Sequence, residues 1–229
     1  MAHAFERDGD RLVARLDAQE RQIVAELMEQ VRELIEPEGS RPPLSPSAGT
    51  GDDPFDAIVA GLGGSFGVSV SAEDQRPDPV VPDSPADLPG RDFGLERQRD
   101  PALDRLFPAG NREDEQVASE YRRLTEPGLR SRKVANLDVA LAALDAAADS
   151  PTDEVVVDVA RAPQFLIALT DVRLVMGDRL GLRTDDDADR IEAALADADD
   201  DDPTVFAMAV YDFLTWLQET LTLALTRQV

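Results

Sequence analysis

The chain has 229 residues, 47 acids against 23 bases, and no cysteine. A formal net charge of −24 argues against autonomous nucleic-acid binding and against anionic membrane surfaces, because both need Lys and Arg to meet phosphates. Without cysteine there are no disulfides, thiolate zinc sites, Cys nucleophiles or thiol redox switches.

The basic side is uneven, since Lys133 is the only lysine and the other 22 bases are Arg. Codon bias in a GC-rich genome and a salt-adapted acidic surface both fit that usage. The opening MAHAFERDGD has no apolar signal core, and no run approaches the roughly 18 apolar residues of a spanning helix. The expectation is a cytoplasmic protein without membrane contact.

Residues 2–16 read as a hairpin: Ala4 to Arg7 runs into Asp8-Gly9, and Leu12, Ala14 and Leu16 alternate on the return. Asp17 with Glu20 resembles a capping box. Ile23, Val24, Leu27, Val31, Leu34 and Ile35 then mark one face of a helix stopped by Pro37 and Gly39. Residues 1–36 thus make the first part of a single domain.

Residues 37–100 hold ten of the 16 prolines and nine of the 14 glycines. Such a composition buries too little apolar surface to offset ordering entropy. The reading is a Pro/Gly-rich mobile insertion over 37–99, with one helical island at Pro54–Leu62. GLGGSFG at 61–67 lacks the spacing and the Lys of a phosphate loop.

Residues 100–229 read as the helical remainder of the domain. Asp100 caps a turn through Pro108. Asn111 is read as the cap of a helix to Leu124, with Val117, Tyr121 and Leu124 facing in. Thr125-Glu126-Pro127 is read as the start of another helix, with Val134, Leu137, Leu141 and Leu144 inward. EVVVD at 154–158 is expected as a third strand beside the hairpin. A helix over about Ala160 to Leu180 follows, with Pro163 in its first turn. Gly177 in its middle suggests close approach of another helix. Residues 184–202 form an acidic loop with ten acids against Arg190. The last helix, Pro203 to Arg227, repeats apolar residues at Phe206, Val210, Phe213, Leu214, Leu217, Leu221 and Leu225, one wide buried stripe. The expected fold is therefore mainly α: a helical bundle around the C-terminal helix with a small antiparallel sheet.

Four phrases in order carry a resemblance: DPALDRLFP at 100–108, EYRRLTEPGLRSRKVAN at 120–136, TDVRLVMGDRLGL at 170–182 and VYDFLTWLQETL at 210–221. Together they resemble an actinobacterial family of unknown function, often encoded beside the adaptor of the Clp protease. One branch is described as oxidative-stress transcription regulators that sense through cysteines. The resemblance implies stress-response or proteolysis-linked regulation; the thiol mechanism cannot carry over to a chain without cysteine.

Catalytic signals are thin. His3 is the only histidine, at a strand edge, so Ser-His-Asp chemistry has no natural centre. The Asp runs at 185–187 and 199–202 lack the Gly and terminal Glu of a calcium loop. No catalytic residue, metal site or cofactor is assigned. The informative polar feature is the basic island Arg122, Arg123, Arg130, Arg132 and Lys133. Internal ion pairing, docking of an acidic or transcription-related protein partner, and phosphate or nucleic-acid contact are its three readings, in that order. Read as lying in the first turns of a helix, Arg130, Arg132 and Lys133 would oppose the macrodipole, which favours external use. Tyr211 and Trp216, off the main stripe of the last helix, are candidate partner-facing residues, a homodimer included. The functional expectation is a non-enzymatic interaction or regulatory protein. The alternative is an enzyme with a helical pocket that uses Lys133 or a carboxylate pair.

Overall fold

The computed structural model describes residues 2–36, 99–110, 114–148, 150–184, 186–187, 190–191 and 202–227. The expected insertion apart from Arg99, its Pro54–Leu62 island, the Asn111 cap and most of the acidic loop lie outside these residues.

Strand β1 (His3–Asp8) turns through Gly9-Asp10 into β2 (Arg11–Arg15). Gly9 takes a φ of +59°, the left-handed conformation that a two-residue hairpin asks of glycine. Helix α1 (Ala18–Ile35) begins in a complete capping box: Asp17 accepts from the N–H of Gln19 and Glu20, and Glu20 accepts from the N–H of Asp17. After the undescribed stretch come α2 (Pro101–Leu106), α3 (Glu115–Ala148), β3 (Glu154–Asp158), α4 (Ala162–Arg179) and α5 (Pro203–Thr226). The chain is mainly helical, with a three-stranded antiparallel sheet of order β1-β2-β3.

One hydrophobic cluster draws on the sheet and on each of these five helices: Phe5, Leu12, Leu27, Leu106, Leu137, Val155, Phe165, Leu169, Leu214 and Leu221 all belong to it. Phe5 meets Phe165 edge to face at 5.9 Å. Helix α4 touches α1, α2, α3, α5 and β3, while α5 packs along α4 and across β1 and β2. Tyr211 of α5 does come against Gly177, but an added Cβ there would meet its ring at 3.7 Å. That is ordinary contact, so the approach does not itself require glycine.

The break expected near Thr125-Pro127 is absent. Helix α3 runs 34 residues with Pro127 inside it, although an interior proline costs about 3 kcal/mol. The inward reading of Val117, Tyr121 and Leu124 is also overturned. They are 51%, 53% and 66% exposed and form a strip at i, i+4, i+7. The N-terminal cap is Asp114, whose carboxylate accepts from the N–H of Gln116 and Val117.

Candidate functional site: a groove along α3

Two internal clamps fix the middle of α3. Glu126, buried on the helix, accepts from Arg130 at 2.8 Å and from Arg99 at 3.0 Å. Arg122 stands 3.9 Å away. Burial alone would raise the Glu126 carboxyl; the hydrogen bonds from Arg130 and Arg99 outweigh it and hold the group below its ordinary value. Arg130 also donates to the carbonyl of Ile35 at 2.5 Å. That carbonyl is one of the last four of α1, which lack partners within the helix, so Arg130 ties the two helices together.

One turn on, Lys133 donates to Asp171 of α4 at 2.5 Å. Asp171 is 1% exposed. Burial raises its pKa, and the Lys133 bond and charge offset that only in part. Its second oxygen, Oδ2, has no hydrogen-bond partner among the described residues. Between the clamps lies the buried ring of Phe107, with Arg130 at 5.0 Å and Lys133 at 5.9 Å from its centroid.

An open groove of about 870 Å³ runs along α3 beside the end of α1. Pro127, Val134 and Ala135 give it apolar lining, and Arg122, Arg123 and Arg130 give it basic lining, with Glu36, Glu126 and Asp138 among the acids. Arg123 is extended over Glu120 at 2.7 Å, and Asp138 takes Arg32 from α1 at 2.7 Å. The exposed strip of Val117, Tyr121 and Leu124 lies on the same helix but does not line the groove. Tyr121 is seated on Gly110, where an added Cβ would fall 2.6 Å from the ring.

The basic island therefore divides. Arg122, Arg123 and Arg130 line the groove; Arg132 is exposed outside it; Lys133 is folded into the α3–α4 interface and does not line it. Because α3 starts at Glu115, Arg130, Arg132 and Lys133 stand mid-helix and no macrodipole opposes them. Tyr211 and Trp216 are on α5, away from the groove. Arg173 lies over the Tyr211 ring at 5.1 Å and donates to Gln218, while Trp216, half-buried, stacks on Phe213 at 6.0 Å. A smaller depression of about 320 Å³ lies beside them, lined by Arg173, Gln218, Glu219, Thr222 and Leu223.

Three residues escaped the sequence reading: Glu126, Asp171 and Phe107. Glu126 left one signal, Arg130 four residues on, an i,i+4 pair. Asp171 is one of two acids, with Asp178 seven residues on, buried on the apolar face shared by Leu169, Val172 and Val175. Nothing local marks Phe107.

The described residues contain no helix long and apolar enough to cross a membrane, and no group of three or more His, Cys, Asp or Glu placed to hold a metal. The fold and the groove define a mainly helical α+β protein with a partly apolar, arginine-walled surface site. The chain belongs to the family described as Domain of unknown function (DUF2017), whose model matches residues 2–225. No curated protein and no solved structure matches it.

Proposed function

We propose that the chain is a non-enzymatic interaction protein whose α3 groove takes an amphipathic, acidic segment of a protein partner. The observation that carries this is the groove's composition. It joins apolar lining at Pro127, Val134 and Ala135 to Arg122 and Arg123, whose side chains are 36% and 70% exposed. Apolar residues of a partner helix would fill the groove, and its acids would meet the arginines. The resemblance to actinobacterial proteins encoded beside the Clp adaptor supports a cytoplasmic setting in proteolysis-linked or stress-response regulation, with a transcription-related partner as one form of it. A chain without cysteine would have to act there by contact rather than by thiol chemistry.

The test is capture from a native lysate, followed by titration of the captured protein against purified variants. Arg122→Glu with Arg123→Glu should weaken binding at least about tenfold, mainly through slower association. Arg123→Glu alone, at an exposed site, should change stability by about 1 kcal/mol or less, and the double variant is compared with it so that any cost of a like charge beside Glu126 is read separately. Ala135→Trp, which fills the groove, should also weaken binding. Undiminished binding by both variants would remove the groove from the reading. A concentration-dependent dimer that the same variants dissolve would assign the groove to a second copy.

A further inference from the structure

Strand β3 is one of the two edges of the sheet, and among the described residues only part of its outward main chain finds a partner. Leu16 N–H donates to Asp153 C=O at 3.1 Å and Val159 N–H to Asp10 C=O at 2.9 Å, in the register that pairs Ala14 with Val155 and Leu12 with Val157. Hydrogen-bonded pairs alternate along an antiparallel ladder. Val155 and Val157 therefore bond to β2, and Glu154, Val156 and Asp158 aim their N–H and C=O groups outward. The Asp158 carbonyl is taken by Arg161 N–H at 2.8 Å. No described group bonds the outward main chain of Glu154 or Val156.

The side chains of the same three residues share the outer face of the sheet. Val156 is 40% exposed there, while Val155 and Val157 are buried. Glu154 and Asp158 flank Val156. Glu154 shares Arg15 of β2 at 3.0 Å; Asp158 has no ion-pair partner among the described residues. An open edge of this kind is a template for an added strand, and the two carboxylates select which strand. A second copy paired antiparallel about Val156 would set Glu154 against Asp158, and like charges directly opposite are destabilising. Two chains of net charge −24 would also repel. A strand with Arg or Lys two positions either side of an apolar residue sets opposite charges at both places.

The geometry points to β3 as a strand-addition site for an extended basic segment of a protein partner, of pattern basic-small-apolar-small-basic. This surface is separate from the α3 groove and does not rest on it.

A fluorescein-labelled peptide with the core Arg-Ser-Val-Ser-Arg, titrated with the full chain and read by anisotropy, tests it. The peptide should bind. N-methylation of its central valine, whose N–H would face Val156, should abolish binding, and N-methylation of a neighbouring serine, facing away, should not. Val156→Pro should weaken binding at least about tenfold with circular dichroism unchanged, since proline is tolerated where an edge N–H faces solvent. Glu154→Lys with Asp158→Lys should lose the basic peptide and bind its Glu-Ser-Val-Ser-Glu counterpart. If Val156→Pro fails to fold, the N-methylated peptides and the charge reversal still decide. The proposal is overturned by no binding at millimolar peptide, by binding indifferent to N-methylation at the valine, or by a dimer that Val156→Pro dissolves. Arg122→Glu with Arg123→Glu should leave this binding unchanged, so the two surfaces can fail independently.

Discussion

Glu126 and Asp171 are both buried carboxylates that hold α3, yet the protein drives them in opposite directions. Burial disfavours the charge on each. Glu126 takes hydrogen bonds from two guanidinium groups and ends below its ordinary pKa; Asp171 takes one ammonium, keeps a bare oxygen, and ends above it. Asp171 is both the more deeply buried, at 1% exposed against 9%, and the one with fewer donors, and both differences push its pKa up relative to that of Glu126. Glu126 stabilises as an anion, whereas Asp171 is an anion held at a cost that Lys133 only partly offsets.

The largest effect should come from removing the single donor. Lys133→Met leaves Asp171 buried without a counter-charge, which typically costs about 3–5 kcal/mol. Lys133→Met with Asp171→Leu should recover most of that loss, because apolar replacement of a whole buried pair is often neutral or better. Urea denaturation of the three proteins at pH 7 measures both. A double variant as unstable as the single one would show that Lys133 acts through packing alone.

Glu126→Gln should cost less, about 1–3 kcal/mol, since Arg99 and Arg130 keep other contacts. The two single variants should also part company with pH. The folded-state pKa of Glu126 lies below 4.5, so the unfolded chain takes that proton first. Its contribution is present above about 4.5 and is lost as pH falls through the folded value. The gap between Glu126→Gln and the wild type should therefore close only in that acid window. The folded-state pKa of Asp171 lies above 3.8, so the folded protein takes that proton first, and acidification relieves the buried charge. Lys133→Met also removes the hydrogen bond and the charge that lower the Asp171 carboxyl, so the group rises further in that variant and its gap should begin to close at higher pH than the Glu126→Gln gap. Gaps closing together would mean that the two carboxylates are not in opposed environments.

The smallest quantity, a coupling energy, sharpens the comparison instead of breaking it. Phe107→Leu removes the ring under both Arg130 and Lys133, at about 0.5–1 kcal/mol per cation–π contact plus some packing. Double-mutant cycles with Glu126→Gln and with Lys133→Met should each show coupling above about 0.5 kcal/mol. Strict additivity would make Phe107 a core residue and no bridge between the clamps.

The sequence by itself determined what local chemistry can determine. The Asp-Gly hairpin, the Asp17–Glu20 capping box, the β-branched strand at 154–158, most of the buried face of α1 and the Val210, Leu214, Leu217 and Leu221 stripe of α5 follow from turn residues, caps and periodicity, while Phe206, Phe213 and Leu225 of the expected stripe are only half-buried. What it could not determine depends on partners far along the chain. Pro127 reads locally as a helix start, but Arg99 and Arg130 grip Glu126, and Arg130 reaches Ile35, 95 residues earlier, so the helix runs through the proline. The same long-range contacts split five adjacent bases into groove wall, free surface and a buried pair with Asp171. Residue spacing shows which side chains share a helical face. Only the neighbouring helix decides whether that face meets solvent, an apolar core or an opposite charge.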